Sequence, residues 1–180
     1  MARIKDGDAG AFGELVERHQ RAVYGIVSRM ISDCDDVDDI VQDIFVQAFK
    51  SLAGFKGEAA FGTWVYWIAV NTTIKHMRKA RIRRGASIDD PATGLSDSLM
   101  SNGSDDPDEA AEKAERKEAV RRAVETLPEH HQAVVVLHYF QNFSCDEIAK
   151  ITGCSVGTVW SRLHYACRKL KGQLAWLGAE

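Results

Sequence analysis

The stretch "SCDEIAKITGCSVGTVWSRLHYACRKL", Ser144–Leu170, breaks one helix-forming run at a glycine and restarts another two residues later. Ser144 and Glu147 have the S-x-x-E spacing of a capping box, in which side chain and backbone satisfy each other at a helix start. The spacing predicts a short helix that buries Ile148, Ala149 and Ile151. Gly153 suits the left-handed conformation that ends a helix, and Ser155 can cap a second one. That second helix turns Val159, Leu163, Ala166 and Leu170 inward. Short helix, glycine turn and capped helix form the pattern of a helix-turn-helix. Its outer face carries Trp160, Ser161, Arg162, His164, Tyr165, Arg168 and Lys169, placed to enter a DNA major groove. An ordinary helical hairpin shares this spacing, and a basic face is often merely solvated.

Outward from this stretch the chain also reads as helix. Phe12, Leu15, Val16, Val23, Ile26, Val27 and Met30 recur at three- and four-residue steps, as do Val37, Ile40, Val41, Ile44, Phe45, Ala48, Phe49 and Leu52. After the loop "AGFKGEAAFG", Thr63 is placed to cap a long helix through "WVYWIAVNTTIKHMRKARIRR". Pro107 can open a helix reaching Thr126, and "TLPEHHQAVVVLHYF" holds another with Pro128 near its first turn. "VVVL" alone fits a strand, but its shortness and surroundings favour helix. The expected class is all-α.

The net charge of −3 hides an uneven distribution. Residues 1–84 hold 13 basic and 11 acidic side chains, 85–112 none and 8, and 113–180 10 and 7. The overall acidity is therefore no argument against a nucleic-acid partner. The middle, "GASIDDPATGLSDSLMSNGSDDPDEAAE", has too little apolar content for a core and reads as a flexible linker that leaves two domains free to move. The expected division is 1–84, linker 85–112, and 113–180. No apolar run is long enough to span a bilayer, and "MARIKDGDAGAF" has no signal-peptide core, so a cytoplasmic location without membrane insertion is expected. Cys34, Cys145, Cys154 and Cys167 form no C-x-x-C pair and read as free thiols.

"FKGEAAFGTWVYWIAVNTTIKHMRKARIRR" interleaves Phe55, Phe61, Trp64, Tyr66 and Trp67 with Lys75, Arg78, Lys79, Arg81, Arg83 and Arg84. Cations can grip phosphates, and rings in a compact loop can receive unstacked bases. The plainer reading makes Trp64, and at least one of Tyr66 and Trp67, part of a core.

Taken in order, "GDAGAFGELVERHQRAVY", "DDVDDIVQDIFVQAFKSL", "FKGEAAFGTWVYWIAVN", a variable linker and "LPEHHQAVVVLHYFQNFSCDEIAKITGCSVGTVWSRLHYACRKL" resemble the extracytoplasmic-function class of bacterial RNA polymerase sigma factors. The resemblance implies a region 2 helical bundle and a region 4 helix-turn-helix. It implies core RNA polymerase (β′ clamp helices and β flap), promoter DNA and an anti-sigma factor as partners. It places Asp36, Asp39, Gln42, Asp43 and Gln47 against the polymerase, although a solvated acidic face would look the same. It assigns Phe55, Lys56, Gly57, Glu58, Ala59, Ala60 and Phe61 to a loop holding a flipped −10 base. Asn71 would read that base, since an amide both donates and accepts, with Lys75 and Arg78 on the backbone. It assigns Ser155, Thr158, Trp160, Ser161, Arg162, His164, Tyr165 and Arg168 to the −35 duplex.

The family often has basic residues where this chain has Trp67, Trp160, Tyr165 and Cys167. Trp160 and Tyr165 can meet thymine methyls or pack on a protein partner. Two rival functions use fewer of these features: a helix-turn-helix regulator acting without polymerase, and a sigma-like decoy for an anti-sigma factor. Catalysis has the least support. His130, His131, His138 and His164 match no metal-ligand spacing, so neither a metal nor a cofactor is expected. Adjacent Asp35 and Asp36 diverge on a helix.

Overall fold

The structure, a computed structural model, describes residues 9–31, 35–57, 59–83 and 107–178, all in helices and the turns that join them. Helices α1 (Ala9–Met30), α2 (Asp35–Ser51) and α3 (Phe61–Arg83) form an N-terminal bundle. Helices α4 (Pro107–Glu125), α5 (Glu129–Val135), α6 (Cys145–Thr152) and α7 (Val156–Gln173) form a C-terminal one. Helix α3 begins at Phe61, so Thr63 lies within its first turn and is not the cap expected from sequence. Helix α4 begins at Pro107, the residue expected to open it, and so includes residues 107–112 of the span assigned to the linker; residues 85–106 lie outside the described residues. "VVVL" is helical as expected, but the coil widens to a π turn over Val136–Phe140. Such turns recur at functional sites. Asn142 follows it with φ 57°, a left-handed position that asparagine tolerates.

The first core unites Phe12, Val23 and Val27 with Val37, Ile40, Ile44 and Ala48, and with Val65, Ile68 and Ala69. The four- and three-residue steps recognised in sequence put these side chains on one face of each helix. Phe49 departs from that pattern: read as inward, it is 53 % exposed, with its ring edge-on to Phe12 at 5.1 Å.

The second core joins Val134–Leu137, Ile148, Ile151, Val159, Leu163 and Ala166. It also takes in Ile26 and Met30 of α1 and Val70 and Ile74 of α3, with Tyr66 and Met77 packed against it. Helix α3 is therefore apolar on two sides: Val65, Ile68 and Ala69 face its own bundle, while Val70 and Ile74 face the other. The two bundles therefore share a core in this structure. Gln132, wholly buried, donates through Nε2 to the carbonyls of Arg29 and Met30, each at 3.3 Å. A C-terminal-bundle side chain thus satisfies carbonyls that the end of α1 leaves open.

Candidate nucleic-acid interface

The helix-turn-helix forms as its sequence dictates. The Glu147 N–H donates to Ser144 Oγ at 3.3 Å, and the Ser144 N–H donates to Glu147 Oε2 at 2.8 Å. Ser144 Oγ also donates to Glu147 Oε2 at 2.7 Å, and this bond first, then that of the Ser144 N–H, holds the Glu147 carboxyl below its ordinary pKa. Gly153 sits at φ 65°, ψ 34°. Ser155 Oγ accepts from the Thr158 N–H at 3.2 Å and lies 2.9 Å from Thr158 Oγ1.

On α7, Trp160 is 61 % exposed, and Ser161, His164, Tyr165 and Arg168 are exposed beside it. Two cations assigned to this face turn elsewhere. Lys169 Nζ donates to the Thr126 carbonyl at 2.7 Å. Arg162 is only partly exposed and lies 3.7 Å from Cys154 Sγ. Burial and then the Arg162 charge hold both His130 and His131 below the usual histidine value. Cys145, Cys154 and Cys167 are free thiols, and Cys34 lies outside the described residues.

In the 55–61 loop, Phe55 and Phe61 are buried, with ring centroids 4.8 and 5.6 Å from Trp64. Phe55 and Phe61 meet each other edge-on, with centroids 6.3 Å apart. The exposed loop surface is Lys56, Gly57, Ala59 and Ala60, with Gly57 at φ 78°; Glu58 lies outside the described residues. Trp67, 43 % exposed, heads a ridge on α3 with Asn71, Lys75 and Lys79 at four-residue steps. Asn71 donates to the Trp67 carbonyl at 2.8 Å, leaving Oδ1 free to accept and one N–H free to donate. Arg78 faces the C-terminal bundle: Nε lies 3.8 Å from Glu129 Oε1, and Nη2 3.2 Å from His130 Nε2.

Asp36, Asp39, Gln42, Asp43 and Gln47 are all exposed on α2. Val46, 43 % exposed, and Phe49 add an apolar strip to that helix which the sequence reading did not assign to docking. Val46 falls outside the inward series, and that omission was the available signal. Packing of α2 on α3 creates a groove of ≈ 340 Å³ lined by Asp43, Gln47, Asn71, Thr72, Lys75, His76 and Lys79. Thr72 Oγ1 donates to Gln47 Oε1 at 3.1 Å, and His76 Nε2 lies 3.7 Å from Asp43. Residues assigned separately to polymerase and to DNA thus line one groove, a juxtaposition that linear spacing does not reveal. Among the described residues, no three His, Cys, Asp or Glu side chains group as metal ligands, and no helix is long and apolar enough to cross a membrane.

The model of Sigma-70 region 2 matches residues 15–83, and that of Sigma-70, region 4 matches residues 117–170. The RNA polymerase sigma-H factor of Pseudomonas aeruginosa is 31 % identical over 172 residues, 92 % of this chain and 87 % of its own length. The ECF RNA polymerase sigma-E factor of Escherichia coli is 38 % identical over 170 residues, with coverage of 92 % and 87 %. The chain is an extracytoplasmic-function sigma factor. Its region 2 stretch lies within α1–α3, and its region 4 stretch begins in α4 and ends in α7. The sigma factor also resembles CnrH, solved with the cytosolic domain of CnrY, at TM-score 0.67 and 28 % identity, covering 97 % of this chain and 94 % of that one. A sigma factor RpoE solved with the anti-sigma factor NepR from Bartonella quintana shares the fold, at TM-score 0.67 and 22 % identity over 92 % and 97 % of the chains.

Proposed function

We propose that the sigma factor docks on the β′ clamp helices of core RNA polymerase through the exposed face of α2. A −10 base then enters the α2–α3 groove, and α7 reads the −35 duplex. The groove carries this reading, because it gathers Asn71 and Lys75 with Asp43 and Gln47. The free acceptor and donor of Asn71 suit a base edge, and Lys75 and Lys79 suit the adjoining phosphates. Drawing a base from the stack costs a few kcal/mol. Contacts made only to the exposed base and its backbone offset that cost, so the factor melts DNA without catalytic chemistry of its own.

In this reading residues 1–84 serve polymerase and the −10 element, and 113–180 serve the −35 element and the β flap. Lys56, Gly57, Ala59 and Ala60 offer the exposed surface of the 55–61 loop to a flipped −10 base, and the buried Phe55 and Phe61 set the shape of that loop from below. Ser155, Thr158, Trp160, Ser161, His164, Tyr165 and Arg168 face the duplex. A polypeptide inhibitor is expected as a further partner, by likeness to CnrH, which was solved with the cytosolic domain of CnrY. Purified factor and core polymerase, transcribing genomic fragments under permanganate probing, test the proposal. Specific starts with reactive thymines upstream are expected. No start above that of core polymerase alone would overturn it.

A further inference from the structure

We infer that Tyr139, a residue outside α7, is a further contact to the −35 duplex, its phenol donating to a backbone phosphate on one wall of the major groove. The inference rests on the proposed assignment of α7 to that duplex.

The π turn puts the ring there. Tyr139 follows Val135 by four residues and Val136 by three, and both valines are buried. In an unbroken α-helix those steps share a face, so Tyr139 would point inward with them. Instead the Gln141 N–H donates to the Val136 carbonyl at 3.1 Å, five residues back, and Val136–Phe140 take the wider coil. The register shifts, and Tyr139 is 56 % exposed. The turn gives up regular helix geometry and takes a large ring out of the core rather than into it. Neither helix bonding nor burial gains, which is the mark of a turn kept for a site.

Two contacts hold the ring in one place. His138 Nδ1 lies 3.0 Å from the Phe143 carbonyl, and the His138 ring meets Tyr139 edge-on with centroids 4.9 Å apart. The Tyr139 hydroxyl lies 3.2 Å from Sγ of Cys167 on α7. This bond first, and desolvation second, push the phenol above its ordinary pKa, so it keeps the proton it would donate.

Cys167 sets where on α7 the hydroxyl stands. It follows Trp160 by seven residues and His164 by three, so these exposed side chains form one stripe. That stripe borders the face that carries Ser161, Tyr165 and Arg168. A helix with its side chains is about 10–12 Å across, and the major groove is about 12 Å wide. Helix α7 therefore fills the groove by itself. A group from another element, lying against the edge of α7, meets the groove wall, which is sugar and phosphate. A phenol there donates to a charged acceptor, the stronger kind of hydrogen bond. It fixes register without reading a base.

The test pairs Tyr139→Phe, which removes one exposed oxygen and keeps the ring, with a promoter duplex that the wild-type holoenzyme selects from genomic fragments. Single methylphosphonates are placed in turn along both strands of its −35 element. The Tyr139→Phe holoenzyme should bind the unmodified duplex about 5-fold more weakly. Its salt dependence should match wild type, because a neutral hydroxyl releases no counterion, whereas Arg168→Ala should lower the slope by about one. One methylphosphonate position should weaken wild type about 5-fold more than it weakens the variant. Equal affinity of the two holoenzymes would overturn the inference, as would a loss that couples to no single phosphate. Weaker assembly of the variant with core polymerase would place Tyr139 against the polymerase and overturn it too. A wild-type holoenzyme that selects no duplex would overturn the proposed function, and this contact with it; every other result is read on a duplex that wild type has already selected, so the two failures are distinct.

Discussion

Replacing Gly153 with alanine should weaken the chain through backbone strain alone. Its φ of 65° and ψ of 34° are left-handed, where a Cβ crowds the following carbonyl at about 1–2 kcal/mol. A Cβ there would meet only Trp67 Nε1, at 3.8 Å, which is ordinary contact, so no clash adds to the strain. Alanine also narrows the unfolded ensemble and so offsets about 0.4–1 kcal/mol. The net loss expected is about 0.5–1 kcal/mol. In urea, with a slope near 2 kcal/mol per molar, the midpoint should fall by about 0.25–0.5 M. Asparagine, which tolerates the left-handed region, should lose less than alanine. The assay is urea unfolding of the full chain followed by circular dichroism. An alanine variant as stable as wild type would refute the claim that this turn requires a left-handed residue.

Three further outcomes follow from the site. Asn71→Ala should change −10 base preference or lower open-complex yield, as read by permanganate on a promoter series; unchanged preference and yield would remove Asn71 as reader. Asp43→Lys should weaken holoenzyme assembly at least several-fold by breaking charge complementarity on α2, and equal affinity in a titration with core polymerase would count against that face. The third concerns pH. His130 and His131 are held below their ordinary value by burial first and by Arg162 second; Arg78 and Arg81 of α3, Glu129 beside them and Lys169 of α7 complete the charged surroundings. Depressed values mean the folded chain prefers neutral rings, so this contribution to stability is fully present above the free-histidine value and is lost as pH falls below it. The urea midpoint should therefore fall between about pH 7.5 and about pH 5.5, and a constant midpoint would refute the coupling.

What the sequence made legible was local. The capping box at Ser144, the left-handed Gly153 and the cap at Ser155 depend on side chains within a few residues of each other, and all three formed. One-sided helices such as α6 were equally legible, because a single apolar stripe has one destination. Helix α3 was harder. Val65, Ile68 and Ala69 belong to one core and Val70 and Ile74 to another, so its apolar positions run nearly around the helix and do not say which neighbour covers which side. Arg78, Arg162 and Lys169 read as free cations for the same reason: their partners Glu129, Cys154 and Thr126 are brought up by tertiary packing. The groove joining Asn71 to Asp43 depends on the register of α2 on α3, which no local signal encodes.

These inward-turned cations bear on the face of α7 proposed to read the −35 duplex. Salt-dependent affinity for duplex grows with the number of phosphates neutralised, and Lys169 and Arg162 are turned from α7 towards the protein. Arg168 remains exposed among Trp160, Ser161, His164 and Tyr165. Such a face discriminates by apolar contact and hydrogen bonding more than it attracts by charge. Its grip on DNA by itself should be weak, which argues against a regulator acting alone. In the proposed function, tethering to polymerase supplies what the face lacks, since a second contact made within one assembly proceeds at a high effective concentration.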